Sequence, residues 1–152
     1  MPPDRPANRI ILPPMDDDLR QRVESALQDV AAPWVKALGL TVVSASAERT
    51  VLRLPVTPAL VHGGGVVCGQ SVLAAADTAM VLALTAAEGA FRPMTTVQLQ
   101  TSFLRPIPGD TPDVTLTCHI LRKGRNLAFG EIEVATPDGR LAAHATTTYA
   151  LL

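Results

Sequence analysis

Aromatic side chains are almost missing from this chain: one Trp, one Tyr and three Phe make up 3% of its 152 residues. So few rings argue against a site that grips an aryl group by stacking. Charge is sparse as well, at 18% of residues with a formal net charge of −1, so nothing electrostatic favours nucleic acid or an anionic membrane as a partner. There are only two cysteines, Cys68 and Cys118, far apart and in no metal-binding spacing. They read as reduced thiols of a cytoplasmic protein. No His, Asp, Glu or Cys pairs recur at ligand spacing, so neither a metal nor a cofactor is expected. The N-terminal stretch MPPDRPANRIILPPMDDD lacks the basic start, apolar run and small-residue cleavage site of a signal peptide. Its prolines predict an extended arm over residues 1–15, ahead of a single domain over 16–152.

Apolar residues, by contrast, are plentiful. They make up 47% of the chain, and the mean hydropathy is +0.24. That is more buried surface than a small monomer needs, and a subunit interface is the simplest place for it.

The chain is organised around Val61–Gly89, VHGGGVVCGQSVLAAADTAMVLALTAAEG. A loop containing Gly63, Gly64 and Gly65 leads through Cys68, Gly69 and Gln70 into a helix-length segment. Between Ser71 and Ala87 the only charge is Asp77. A surface helix would carry charge along one face, so this one is expected to be buried all round. A bilayer is the poorer host, because the run is at the short end of what spans roughly 30 Å of hydrocarbon and a carboxylate sits at its middle. A sheet wrapped around the helix is the better one. The loop itself has no Lys and Ser/Thr at the spacing of a phosphate cradle, and reads as a flexible connection.

Ahead of that segment, Asp16, Asp17 and Asp18 favour a helix N-terminus, and Leu19, Val23, Leu27 and Val30 recur at helical spacing. Pro33 ends this helix and opens a short turn closing at Gly39, with Trp34 and Leu38 expected to pack inward. Leu40–Val56 reads as a strand or a hairpin bent near Ala47–Arg49, its second half alternating like a half-buried edge strand. Past Gly89 the period changes from helix to strand. Val97, Leu99, Thr101 and Phe103 fall on one face, opposite Thr96, Gln98, Gln100 and Ser102. After the turn RPIPGDTP, Val114, Leu116, Cys118 and Ile120 form the next face, and two further strands span Leu127–Ala135 and Leu141–Leu151. Short turns between them predict a four-stranded antiparallel meander. The whole reads as an α+β domain, a curved antiparallel sheet wrapped around a long central helix.

Three stretches together carry a family resemblance: CGQSVLAAADTAM at Cys68–Met80, TTVQLQTSFLRP at Thr95–Pro106, and LRKGRNLAFGEIEVATPDGRLAAHATTTY at Leu121–Tyr149. In combination they resemble the hotdog-fold acyl-CoA thioesterases, nearest in type to those of phenylacetate degradation and 4-hydroxybenzoyl-CoA hydrolysis, over about Leu38 to Leu151. The resemblance implies a hotdog fold, hydrolysis of an acyl-CoA thioester to free acid and coenzyme A, and a homo-oligomer, either a dimer or a dimer of dimers. Coenzyme A enters as part of the substrate. The usual His-Gly-Gly turn lies nine residues before the family's acid; here those positions hold Cys68, Gly69 and Gln70.

On this resemblance Asp77 is the acid, acting as nucleophile or general base. Gly69, with Gln70, offers helix N-terminal amides to the oxyanion. The family's shared-site dimer would set Asp77 of one copy against Gly69 of the other. His62 falls where relatives carry an Asn or Gln that places the attacking group or water, and Thr95 where some relatives hold water near the acid. Thr78 and Thr96 are rival hydroxyls. Val66, Val67, Cys68, Met80, Leu84, Met94 and Thr96 are the candidate acyl-side contacts. Arg122, Lys123 and Arg125, a concentrated basic turn, could meet the coenzyme A phosphates, and Arg105 could serve likewise or cap a strand end. His119 and His144, on alternating strands, read as structural.

Three rivals are weighed against this reading, one of them an assembly scaffold with a buried helix and no ligand, which would show no pocket at the helix start. A hotdog hydratase would pair its Asp with a His about five residues later in the relatives, where this chain has apolar Leu82. A non-catalytic acyl-CoA-binding or regulatory module would be stabilised by ligand without turnover.

Overall fold

The structure is a computed structural model, and it describes residues 16–152; the arm expected over 1–15 lies outside the described residues. Helix α1 (Asp17–Val30) starts where Asp16 accepts a hydrogen bond from the Leu19 amide at 3.2 Å, and it buries Val23, Ala26 and Leu27. A single-turn helix α2 (Pro33–Lys36) follows. Leu38 is buried beyond it, but Trp34 is 63% exposed, against the expectation that it packs inward. One turn of helix presents few faces to the core, and Leu38 takes the inward one.

A hairpin of β1 (Thr41–Ala45) and β2 (Arg49–Pro55) leads through a 3-10 turn at Pro58–Leu60 to the central helix α3 (Gly69–Glu88). The chain then runs through β3 (Met94–Phe103), β4 (Asp113–Lys123), β5 (Leu127–Ala135) and β6 (Leu141–Leu151). All six strands form one antiparallel sheet in the order β1-β2-β4-β5-β6-β3. Strands β2, β3, β4, β5 and β6 all contact α3, so the sheet curves around it, and α1 packs against α3 and β1. This is the hotdog arrangement.

Two expectations about neighbours fail. The meander covers β4, β5 and β6, whereas β3 pairs with β6 at the far edge. The proline-rich connection 104–112 carries the chain back across the sheet end, holding the loop before α3 through Val67 N–H to Ile107 O at 2.9 Å. Strand β2 is an inner strand with Val51, Leu52 and Leu54 buried; β1 and β3 are the edges.

Close packing under the helix depends on a glycine in β5. A Cβ at Gly130 would lie 2.5 Å from Met80 Sδ. Met80 is thereby seated fully buried, its sulfur 3.8 Å from the Cys118 thiol. Burial pushes the Cys118 thiol up to about 12, which makes it an inert part of the core.

Candidate active site

Helix α3 is not buried all round. Ser71, Val72, Ala75, Ala76, Ala79, Met80 and Ala83 are buried, but Leu73, Ala74, Asp77, Thr78 and Val81 are only half-buried. Those five recur at three- and four-residue spacing, so they form one stripe along the helix that the sheet leaves uncovered. Asp77 stands in its middle.

Two hydroxyls fix the Asp77 carboxylate. Thr96 Oγ1 donates to Asp77 Oδ1 at 2.9 Å, and Tyr149 OH donates to the same oxygen at 2.5 Å, with Asp77 O a further 3.1 Å acceptor. Oδ2 has no hydrogen-bond partner among the described residues. Burial, reinforced by the carboxylate it bonds, raises the Tyr149 phenol far above its ordinary value, so it stays a donor at any working pH. The arrangement anchors one oxygen and leaves the other for chemistry.

Tyr149, the chain's one tyrosine, is the site residue that sequence reasoning missed. Its signal was in the strand parity: Ala145, Thr147 and Tyr149 alternate inward on β6. A β-bulge hid the hydroxyl on β3. The register of β3 on β6 shifts between Thr96 and Gln98, which leaves Val97 as the extra residue and turns Thr96 to the helix side with Leu99. Thr96, not Thr95, therefore meets Asp77. Both threonines are exposed, but Thr95, one residue out of phase, makes no hydrogen bond to Asp77. Of the other rival, the Thr78 hydroxyl donates to Ala74 O at 2.8 Å and is occupied.

The start of α3 presents free amide donors. The amides of Gly69 and Gln70 are the first of the helix and have no backbone carbonyl partner among the described residues, as the first turn of a helix requires. They carry the positive end of the helix dipole. The Phe103 ring lies over Gly69, where a Cβ would come within 3.1 Å of its Cζ, so a larger residue would press on the ring. A groove of about 380 Å3 opens beside Gly69, lined by Val66, Val67, Phe103, Leu104, Arg105 and Ile107 among others. Cys68 caps the helix, with Sγ 2.9 Å from Ser71 Oγ. That hydrogen bond, helped by backbone amides, holds the thiol below its ordinary value although burial works the other way. The Gln70 side chain is exposed and turns to a separate hollow beside Trp34 and Leu38.

Other sequence candidates lie elsewhere. Met80 and Leu84 are fully buried core residues, and Met94 is half-buried against the core. His62 is exposed at a turn, with Nδ1 accepting from the Gly64 amide at 2.9 Å, and no contact links it to Asp77 within the protomer. Arg105 is exposed and donates to Leu141 O at 2.8 Å. The basic turn sits at the other end of α3. Lys123 Nζ is paired with Glu88 Oε1 at 2.8 Å, and the Arg125 carbonyl accepts from Arg92, while Arg122 is exposed. Nineteen residues of helix, at about 1.5 Å each, separate Glu88 from Gly69 by roughly 28 Å. His144 Nε2 lies 3.2 Å from Glu131 Oε2 on the outer sheet face. Among the described residues no three His, Cys, Asp or Glu gather in a way that could hold a metal.

Known proteins share this fold. The model of the Thioesterase superfamily matches residues 61–143, more than half of the chain. A candidate esterase of Saccharolobus solfataricus is 29% identical over 117 residues, covering 77% of this chain and 81% of that one. Among solved structures, the PaaI protein of the Escherichia coli phenylacetic acid degradation operon superposes with a TM-score of 0.76 at 20% identity, covering 91% of this chain and 96% of its own. Zebrafish thioesterase superfamily member 2 gives a TM-score of 0.77 at 20% identity, covering 92% and 100%. Helix α3 is long and apolar enough to cross a membrane, but here it is the core that the sheet encloses. A carboxylate anchored on the open stripe of an enclosed helix, free amides at that helix's start and a matching family model together make the chain a member of the thioesterase superfamily, with the hotdog fold.

Proposed function

We propose that this chain hydrolyses acyl-CoA thioesters as a homo-oligomer, with each site shared between two copies. One observation carries the proposal: Asp77 is held through Oδ1 and keeps an unpartnered Oδ2 on the stripe of α3 that the sheet leaves uncovered. Asp77 and Gly69 lie eight residues apart on a single helix, so at about 1.5 Å per residue some 12 Å separates them and they cannot serve one carbonyl. Two copies related by a two-fold axis with their open stripes facing would bring Asp77 of each near Gly69 of the other. The β3 edge favours such pairing, being unpaired and carrying Val97 at 59% and Phe103 at 54% exposure.

In that arrangement Asp77 Oδ2 takes a proton from water as the water oxygen attacks the thioester carbon. The carbonyl oxygen gathers negative charge and accepts hydrogen bonds from the Gly69 and Gln70 amides of the second copy. When the tetrahedral intermediate collapses, the C–S bond breaks and Asp77 returns the proton to the departing sulfur, giving free acid and coenzyme A thiol. Direct attack by Oδ2 would use the same geometry and pass through an anhydride. Thr96 and Tyr149 position the carboxylate in either route, and His62 and Thr95, exposed on the protomer, are free to meet the second copy.

The test is release of free thiol from a panel of acyl-CoA substrates by wild type and Asp77→Asn. Turnover that drops at least a thousandfold in a folded Asp77→Asn protein is expected, in line with loss of an acid-base group together with its charge. Ligand-dependent stabilisation of wild type without any thiol release would instead identify a binding module.

A further inference from the structure

The apolar space next to Asp77 lies not among the core residues but on the other flank of α3, where α1 runs beside it. A cleft of about 150 Å3 is walled there by Leu27 and Val30 of α1, Val35 of α2, and Thr78 and Val81 of α3, with Asp77 at its edge. Its chemistry is uniform. The Thr78 hydroxyl is spent on Ala74 O at 2.8 Å, so the cleft offers no unpaired polar group except the Asp77 carboxylate. A hydroxylated or charged group placed in it would lose water and find no partner. No aromatic side chain lines it, so an aryl ring would find nothing to stack on. Its volume is small beside the roughly 300–1,000 Å3 of pockets that take drug-sized ligands. Val30, 44% exposed although apolar, stands at its rim.

We infer that this cleft receives the acyl group of the thioester, and that the group it accepts is a short, unsubstituted aliphatic chain. The inference rests on the thioesterase reading of Asp77: a carbonyl carbon within reach of Oδ2 has this apolar recess directly beside it, and a chain entering the recess exchanges water for methyl and methylene contacts. Chain length is then set by the distance from Asp77 to the rim, which makes Val81 and Val30 specificity-determining.

The experiment measures kcat/KM for acetyl-, butyryl-, hexanoyl-, octanoyl- and palmitoyl-CoA by thiol release in wild type, Val81→Ala, Val30→Ala and Val81→Phe, with the fold of each checked by circular dichroism. Wild type is expected to favour butyryl or hexanoyl over palmitoyl. Both alanine variants should move the optimum to longer chains. Val81→Phe should lower the hexanoyl-to-acetyl ratio by about tenfold, the scale on which an apolar pocket discriminates methylenes. Gln21→Ala, exposed on the outer face of α1, should keep the wild-type profile. If Val81→Phe fails to fold, the alanine variants still decide the matter. Unchanged profiles in the cleft variants, with turnover still abolished by Asp77→Asn, would overturn the cleft assignment and leave the thioesterase reading standing. Absence of turnover on every substrate would overturn both.

Discussion

The two sides of helix α3 solve opposite problems. The side facing the sheet carries Ala75, Ala76, Ala79, Met80 and Ala83, all fully buried, and is held by packing alone. Met80 fits because Gly130 has no side chain. The open side carries a carboxylate that packing cannot satisfy, so β3 and β6 supply two hydroxyls to one of its oxygens. Substitutions on the first side should therefore register as lost stability, and substitutions on the second as lost turnover.

Met80→Ala would sharpen this contrast most strongly after Asp77 itself. It leaves a cavity beneath the helix, and a loss of about 2–5 kcal/mol in unfolding free energy is expected by chemical denaturation. Activity of the protein that remains folded should persist. Tyr149→Phe straddles the two sides, since it keeps the buried ring but removes the donor to Asp77. A stability loss of about 1.5–3 kcal/mol, the range for a hydrogen bond to a charged group, should accompany a drop in kcat with KM little changed. Thr96→Val should act in the same direction by less, because Thr96 contributes one donor and no buried ring.

The two cysteines give the smallest and cheapest contrast. Alkylation rate follows the thiolate fraction, which rises with pH through the thiol's own value. Cys68 is held below the ordinary range by Ser71, so in the folded protein it should react at lower pH than a free thiol. Cys118, pushed up to about 12 and fully buried, should stay unlabelled until the protein unfolds. Equal labelling of both in native protein would break the distinction between helix start and core.

Much of this was legible in the sequence because burial imposes a period. The charge-free run around Asp77, the alternation in the later strands and the glycine at the helix start are local patterns, and they placed the central helix, the strands and the Asp77 and Gly69 positions. Neighbour relations are not local. Alternation says which side chains share a face, not which strand lies alongside, so the pairing of β3 with β6 rather than β4 could not be read. The bulge at Val97 changes the parity of a single strand, and with it exchanged Thr95 for Thr96 beside Asp77. Tyr149 reaches Asp77 across 72 positions of chain, a contact that only the folded sheet creates. The open stripe escaped notice for a different reason: its residues other than Asp77 are themselves apolar or small, so composition did not separate an uncovered face from a covered one.

The proposed shared site can be tested by mixing two variants that should each be inactive alone. Asp77→Ala removes the carboxylate, and Gly69→Pro removes an amide donor while keeping a residue suited to the first helical position, behind a Cys68 whose ψ of 144° already suits a following proline and beside a half-exposed Phe103 ring that must shift slightly to admit it. Unfolded together in equal amounts and refolded, random pairing makes half the dimers mixed, each with one intact site, so about a quarter of wild-type thiol release should return. A mixture no more active than its two components would contradict a site built from Asp77 of one copy and Gly69 of the other.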